Sequence, residues 1–321
     1  MTFKKITCLI LLSALICLNL SSCDEPAPPD TDTQDTILSE APFPLNVEEV
    51  SVKIPGMQDT TVIAYLSDLH ILCANDEVAD ENKEDVKFRE SVFSNQGITS
   101  TDQWPDYVDL LNSSGADFLI LCGDMTDFAS KANYSALKEG LDRLEIPFLY
   151  VRADHDTEPY YLKDQEREQY LALQKDLCAF DDVIVQEFPD FSVIGWNNST
   201  DQLTPGGLDT IKKALEKGKP AILATHVPIE PLQDKSLSSA SRAIFGDRSL
   251  LWGFGSNEYT PNECTSELLD LIYEKNSPFT EIVAGHLHYP WDGYAAQKVH
   301  EHVFGPAFGG YIGIITVSGT D

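Results

Sequence analysis

Along the chain, short apolar runs alternate with longer stretches in which apolar positions recur every three or four residues. The runs at 62–66, 117–122, 147–151, 183–188, 191–196, 221–225, 281–284 and 311–317 are rich in Val, Ile, Leu and Phe and are bounded by polar residues or Gly, the pattern of β-strands. Helical spacing at 106–113, 130–144, 161–180, 208–218 and 261–275 predicts amphipathic helices between them. Thr260 followed by Glu263 reads as a capping box at the start of the last helix, with Pro261 as its first residue. Strands and helices in this alternation give an α/β fold.

The beginning of the chain has a different pattern. Lys4 and Lys5 precede an apolar run over 6–20 that ends in Leu20-Ser21-Ser22-Cys23. A basic segment, an apolar segment too short to span a bilayer comfortably, and small residues before a cleavage point make an export signal over 1–22. Small residues directly before Cys23 resemble the lipobox of bacterial lipoproteins, which implies acylation of the Cys23 thiol; a plain secretory signal is the alternative. The expectation is an exported bacterial lipoprotein, anchored to a membrane of the cell envelope and facing the periplasm or the cell surface. Residues 23–42 are rich in Pro, Asp and Thr and poor in large apolar residues, as in a tether that cannot order itself. A single domain over 43–321 follows, since no second linker, repeat or low-complexity block interrupts it.

Charge narrows the classes of partner. Against 22 Lys and Arg stand 52 Asp and Glu, a formal charge of −30, so a groove for long nucleic acid is excluded and any anionic substrate must be attracted locally. The oligomeric state is left open. Seven cysteines contain no C-x-x-C pair, which argues against a zinc ribbon or a thioredoxin-type site. Of the four beyond the leader, Cys73, Cys122, Cys178 and Cys264, only Cys122 lies in an apolar run and reads as a buried thiol; any pairing among them is open.

In α/β folds chemistry collects where strands end, because loops there are held by a rigid sheet and remain open to solvent. After the run at 62–66 come Asp68 and His70; after 117–122 come Gly123, Asp124 and Asp127; after 147–151 come Ala153, Asp154 and His155; after 221–225 comes His226; after 281–284 come Gly285, His286 and His288. Each block is common by chance, and a strand-end histidine is usually structural. Five of the seven histidines in these blocks, mostly beside carboxylates or Gly, are not. Imidazoles and carboxylates without thiolates suit Mn, Fe or Zn ions, and a two-metal centre becomes the leading idea.

In order, these blocks resemble the calcineurin-like metallophosphoesterases, whose motifs run D-x-H, G-D-x-x-D, G-N-H-D/E, a strand-end H, and G-H-x-H, the third here in altered form. The resemblance implies a four-layer α/β/β/α sandwich with two mixed sheets, and a hydrolase of phosphate monoesters or diesters using two divalent or mixed-valence metal ions and a metal-bridging hydroxide. It puts Asp68, His70 and His288 on one metal, Asp154, His226 and His286 on the other, and Asp124 between them. His155 takes the place of the histidine facing the leaving group, and Asp127 orients a ligand histidine. One carboxylate shared by two ions roughly 3.5–4 Å apart suits an in-line attack on a clamped phosphoryl group. Gly123 and Gly285 suit backbone turning close to the ions.

Ala153-Asp154 stands where the family motif has Gly-Asn, so a carboxylate replaces a neutral amide. That lowers the positive charge around the ions by one and predicts weaker attraction for phosphate, a less acidic bridging water, or a preference for an ion such as Fe(III). It also opens a second reading, a catalytically impaired binding lipoprotein that keeps the fold. Substrate contacts are sought in the polar stretch 75–103 and in 228–261, where Arg242 and Arg248 are candidates for a phosphate or carboxylate and Trp252 for stacking. Tyr289 and Trp291 follow the last motif and are placed to line the pocket, whereas His300 and His302 alternate on a late strand and are expected to be exposed. A small phosphorylated molecule is the expected substrate.

Overall fold

A computed structural model of the chain describes residues 41–73, 76–177, 181–197, 202–246, 250–253 and 259–320. The leader, Cys23, most of the tether, Cys178 and Arg248 lie outside the described residues. No helix among the described residues is long and apolar enough to cross a membrane.

Two mixed sheets carry the fold. In the first the strand order is Asn46–Ile54, Tyr311–Gly319, Thr61–Leu66, Phe118–Cys122 and Phe148–Val151. Here Tyr311–Gly319 runs antiparallel to Thr61–Leu66, and the other neighbours are parallel. The second sheet has the order Trp291–Ala296, Val299–Val303, Phe279–Ala284, Ala221–Thr225, Ser192–Trp196 and Val183–Glu187. Its two outermost pairings are antiparallel and the inner three parallel.

Both faces of each sheet are covered, and the two-residue side-chain period of a strand divides the core accordingly. Ile63, Tyr65, Ile120 and Cys122 point between the sheets, where they meet Val193, Ile222, Ala224 and Val283. Ala64, Leu66, Leu119 and Leu121 point the other way, against Trp104, Tyr107, Leu111 and Leu137 of the helices Ser100–Ser113 and Lys131–Leu141. On the far side Ile194, Leu223 and Ile282 pack on Ile211, Leu268 and Ile272 of the helices Pro205–Leu215 and Glu263–Tyr273. The architecture is thus helix, sheet, sheet, helix, the expected four layers. The apolar runs are nearly continuous because each strand buries both faces.

Several elements depart from the sequence expectation. The last helix starts at Glu263, with Asn262 as its cap: its side chain accepts from the Thr265 N–H at 2.8 Å, and its own N–H donates to Gln202 Oε1 at 2.8 Å. Thr260 and Pro261 therefore precede the helix, whose start is set by this tie to residue 202. The helix expected from 106 begins at Ser100, capped by the Thr99 hydroxyl, with Pro105 inside it. The helix expected over 161–180 shrinks to Arg167–Gln174. His302 is buried and His300 half-buried rather than exposed, because Glu281 and Asp292 on the flanking strands hydrogen-bond their rings. Finally, the polar stretch after residue 75 contains a helix, Lys83–Val92, followed by a two-stranded ribbon, Ser94–Asn95 and Ile98–Thr99. Cys122 is a buried free thiol, and Cys264 is a free, partly buried one.

Candidate metal centre

Five strand-end loops, three from the first sheet and two from the second, meet at one rim of the sandwich. Backbone hydrogen bonds tie them together: Asp68 N–H donates to Gly123 O at 3.0 Å, His70 N–H to Asp124 O at 2.8 Å, and Gly285 N–H to His226 O at 3.0 Å. The Asp68 carboxylate accepts the His286 N–H, 3.1 Å from each of its oxygens, which joins the two sheets.

The local conformation is unusual. Among the described residues six non-glycine residues have positive φ, and five of them are Asp68, His70, Asp124, His286 and His288, at 50–70°. The left-handed region costs an L-residue roughly 1–2 kcal/mol. Such strain persists only where the surroundings over-determine it, and it gathers at functional sites. Here it bends three of the five loops, those after Leu66, Cys122 and Ala284. Gly123 has a φ of +83°, and a Cβ there would lie 2.5 Å from His226 Nδ1; at Gly285 a Cβ would lie 2.3 Å from Asp68 Oδ2. Both glycines let side chains close on the same space.

Two clusters result, each with its possible ligand atoms within 4.8 Å of one another: Asp68, His70, Asp124 and His288, and then Asp124, His226 and His286. Asp124 is common to both. A third group contains His70, Asp127 and His155. His288 Nε2 lies 3.2 Å from Asp68 Oδ1, and His226 Nε2 lies 3.1 Å from Asp124 Oδ2. The aromatic ring of Phe93 stacks on His70 at 4.2 Å and 5°.

Neighbours of the imidazoles determine which nitrogen faces the clusters. His70 Nδ1 donates to Asp127 Oδ1 at 3.0 Å and His226 Nδ1 to Cys122 O at 2.8 Å, which turns both Nε2 atoms toward the carboxylates. His155 Nδ1 donates to the main-chain oxygen of Asp127 at 2.7 Å. Asp124 Oδ1 and His226 Nε2 are buried without a hydrogen-bond partner. Burial lowers the pKa of His70, and burial together with His226 lowers that of His286 to about 4, so both imidazoles are neutral. For His226, burial is outweighed by Asp124 and Asp68, which raise it to about 10. Two buried carboxylates thus draw positive charge into the space between the imidazoles. Neutral imidazole nitrogens, unpartnered buried atoms and concentrated negative charge fit divalent cations.

Asp154 belongs to neither metal-type cluster. Its Oδ2 accepts the Tyr160 hydroxyl at 2.7 Å, and Tyr160 packs edge-on against His155 at 5.4 Å. Two residues on, Asp156 is fully buried. Its oxygens accept the N–H groups of Asp124, Thr126 and Ala153 at 2.9–3.0 Å and the Tyr150 hydroxyl at 2.7 Å, joining two of the loops. Burial and the Asp124 charge raise its pKa to about 6 against the pull of these donors. Asp156 stands at the D/E position of the third motif, but the sequence assigned it no role; Arg89, which pairs with Asp127, lies in a polar stretch without a motif.

Of the substrate candidates, Arg242 is exposed on the helix Ser236–Phe245. Trp252 is fully buried between Trp196 and Tyr259, so its ring packs the core instead of offering a face to a ligand. Tyr289 and Trp291 are half-buried against an apolar cluster around Leu237 and Leu251, and Trp291 Nε1 donates to Ser236 Oγ at 3.0 Å. Tyr259, not singled out by the sequence, places its hydroxyl 3.2 Å from His286 Nε2.

Two Asp/His clusters sharing a carboxylate at the rim of such a sandwich define the class of dinuclear metal hydrolases. Over residues 61–290 the chain matches the calcineurin-like phosphoesterases, and it belongs to that family. It is accordingly a metal-dependent enzyme that hydrolyses phosphoesters. Among solved structures it is similar to a dimetal phosphatase from Danio rerio, at 12% identity and TM-score 0.46, covering 77% of this chain and 88% of that one. A phosphopantetheinyl hydrolase from Mycobacterium tuberculosis is 14% identical with TM-score 0.44, covering 77% and 90%. A purple acid phosphatase from yellow lupin (Lupinus luteus) seeds is 12% identical with TM-score 0.47, covering 80% of this chain and 45% of that one. No curated protein matches the chain.

Proposed function

We propose that the protein is an exported, lipid-anchored hydrolase of small phosphate monoesters or diesters, with Asp68, His70, Asp124 and His288 holding one cation and Asp124, His226 and His286 the other. The observation that carries this reading is the sharing of Asp124 between the two clusters. When bound, two such cations neutralise charge on the phosphoryl group and activate the attacking water. The chain's own residues do the rest. Asp127 and the Cys122 carbonyl hold His70 and His226 with Nε2 turned inward. His155, tied to the Asp127 carbonyl through Nδ1, has Nε2 to offer a proton to the leaving oxygen. A formal charge of −30 repels long polyanions and favours a small substrate. Cys23 supplies the anchor.

Asp154 supports a second reading, a binding protein of the same fold with impaired turnover, because its carboxylate is held by Tyr160 instead of joining a cluster. Hydrolysis of p-nitrophenyl phosphate and bis(p-nitrophenyl) phosphate by protein reconstituted with Mn, Fe, Zn, Co or Ni separates the two. Turnover with any of these metals, lost in Asp124→Asn, is expected. Stoichiometric metal binding without turnover favours the binding protein.

A further inference from the structure

The helix Lys83–Val92 buries only Val86 among its ten residues, so the core gives little reason for it to be there. Its contribution lies at its C-terminal end. Arg89 Nε donates to Asp127 Oδ2 at 2.8 Å and Nη2 to Asp127 Oδ1 at 2.5 Å, a two-pronged pair on a carboxylate that is 0% exposed. The guanidinium is sandwiched near the rings of Phe93 and Tyr161, 4.9 and 5.4 Å from their centroids. Phe93 closes the helix through its N–H on Arg89 O at 2.8 Å and stacks on His70. One helix end therefore supplies both the partner of Asp127 and the ring that flanks His70.

Asp127 in turn orients two imidazoles, His70 through Oδ1 and His155 through its main-chain oxygen. We infer that Arg89 is a positioning residue of the metal centre: its planar fork fixes both oxygens of Asp127, and so fixes the ring of His70 with Nε2 toward Asp68, Asp124 and His288. A fork is needed because a single ammonium donor cannot hold two carboxylate oxygens in one plane. Among the described residues no fork of this kind reaches His226, whose ring is held by the Cys122 carbonyl. The two cation positions therefore have separate supports, and Arg89 serves one. This inference rests on the metal-centre reading above.

The test is titration of EDTA-stripped protein with Mn²⁺ by calorimetry, for wild type, Arg89→Lys and Arg89→Ala, with the His70 tautomer followed by ¹H–¹⁵N imidazole spectra. Wild type is expected to bind two ions. Arg89→Lys should bind one of them about 10–100-fold more weakly, the usual effect of losing an outer partner, and leave the other unchanged. Added guanidinium chloride at millimolar concentration should restore the weakened ion in Arg89→Ala, which simple destabilisation does not predict. Equal affinity for both ions in Arg89→Lys and wild type overturns the inference and spares the metal centre; equal weakening of both ions overturns it as well. Failure of wild type to bind metal overturns the metal centre itself.

Discussion

Replacing Asp156 is the sharpest test of how the centre is held. Its carboxylate, 0% exposed, accepts five hydrogen bonds: Asp124 N–H and Ala153 N–H on Oδ2, and Thr126 N–H, the Tyr150 hydroxyl and, at 3.4 Å, the Thr126 hydroxyl on Oδ1. In Asp156→Ala three buried backbone N–H groups lose their acceptor, and the Tyr150 hydroxyl must find another. An orphaned buried donor costs about 1–3 kcal/mol, and some refilling by water is expected, so the total is about 3–6 kcal/mol. Asp156→Asn is milder. Its NH₂ group is best turned toward the Oδ1 side, where Tyr150 can reverse and accept, leaving one N–H opposed by a donor; about 1–3 kcal/mol follows from the same range. Equilibrium urea unfolding, with and without Mn²⁺, reads both variants. Because Asp156 joins the loops that carry Asp124 and His155, phosphoesterase activity should fall in Asp156→Asn even at temperatures where it stays folded. An Asp156→Asn variant within about 0.5 kcal/mol of wild type and fully active would refute the reasoning, since one unmet buried donor already exceeds that figure.

Two further outcomes follow from the geometry. Gly123→Ala places a Cβ 2.5 Å from His226 Nδ1 in a left-handed backbone; backbone strain and overpacking together should cost roughly 2–4 kcal/mol, read by thermal unfolding, with weaker binding of one Mn²⁺ as His226 is pushed aside. For His300, burial is outweighed by hydrogen bonds to Asp292 and Glu281, which raise its pKa to about 10. An imidazole with an unfolded value near 6.5 then contributes stability that is complete below pH 6.5 and disappears as pH rises toward 10. Because Asp292 is 64% exposed, solvent screening reduces this to about 2 kcal/mol. Urea unfolding between pH 6.5 and 10 should show that decline, and His300→Gln should flatten it; an equally steep decline in the variant would count against the pairing.

The alternation of apolar runs and amphipathic stretches was enough for the α/β class, because strands buried on both faces have to be apolar throughout; the two-sheet sandwich came from the family resemblance. The strands it missed are informative. Asn46–Ile54 carries Val50, Val52 and Ile54 inward but has polar or exposed positions between them. Val299–Val303 has His, Glu and His at its centre, which read as surface until Asp292 and Glu281 are seen to pair with the histidines. Helix starts moved for a similar reason: Asn262 takes the cap because Gln202, sixty residues earlier in the chain, holds its N–H.

For the site, the order of Asp and His blocks after successive strands already carried the family and its chemistry, since strand ends of a parallel sheet must open on one rim. Side-chain identity at those ends is local information, and a sequence holds it in full. The resemblance already put Asp124 between the two clusters; what folding alone decided is how other groups are held: Asp154 on Tyr160, Arg89 on Asp127, Asp156 under two loops. Each depends on contacts between residues distant in the chain or on burial, and a carboxylate's partners follow from where neighbouring elements pack, which no spacing along the chain encodes.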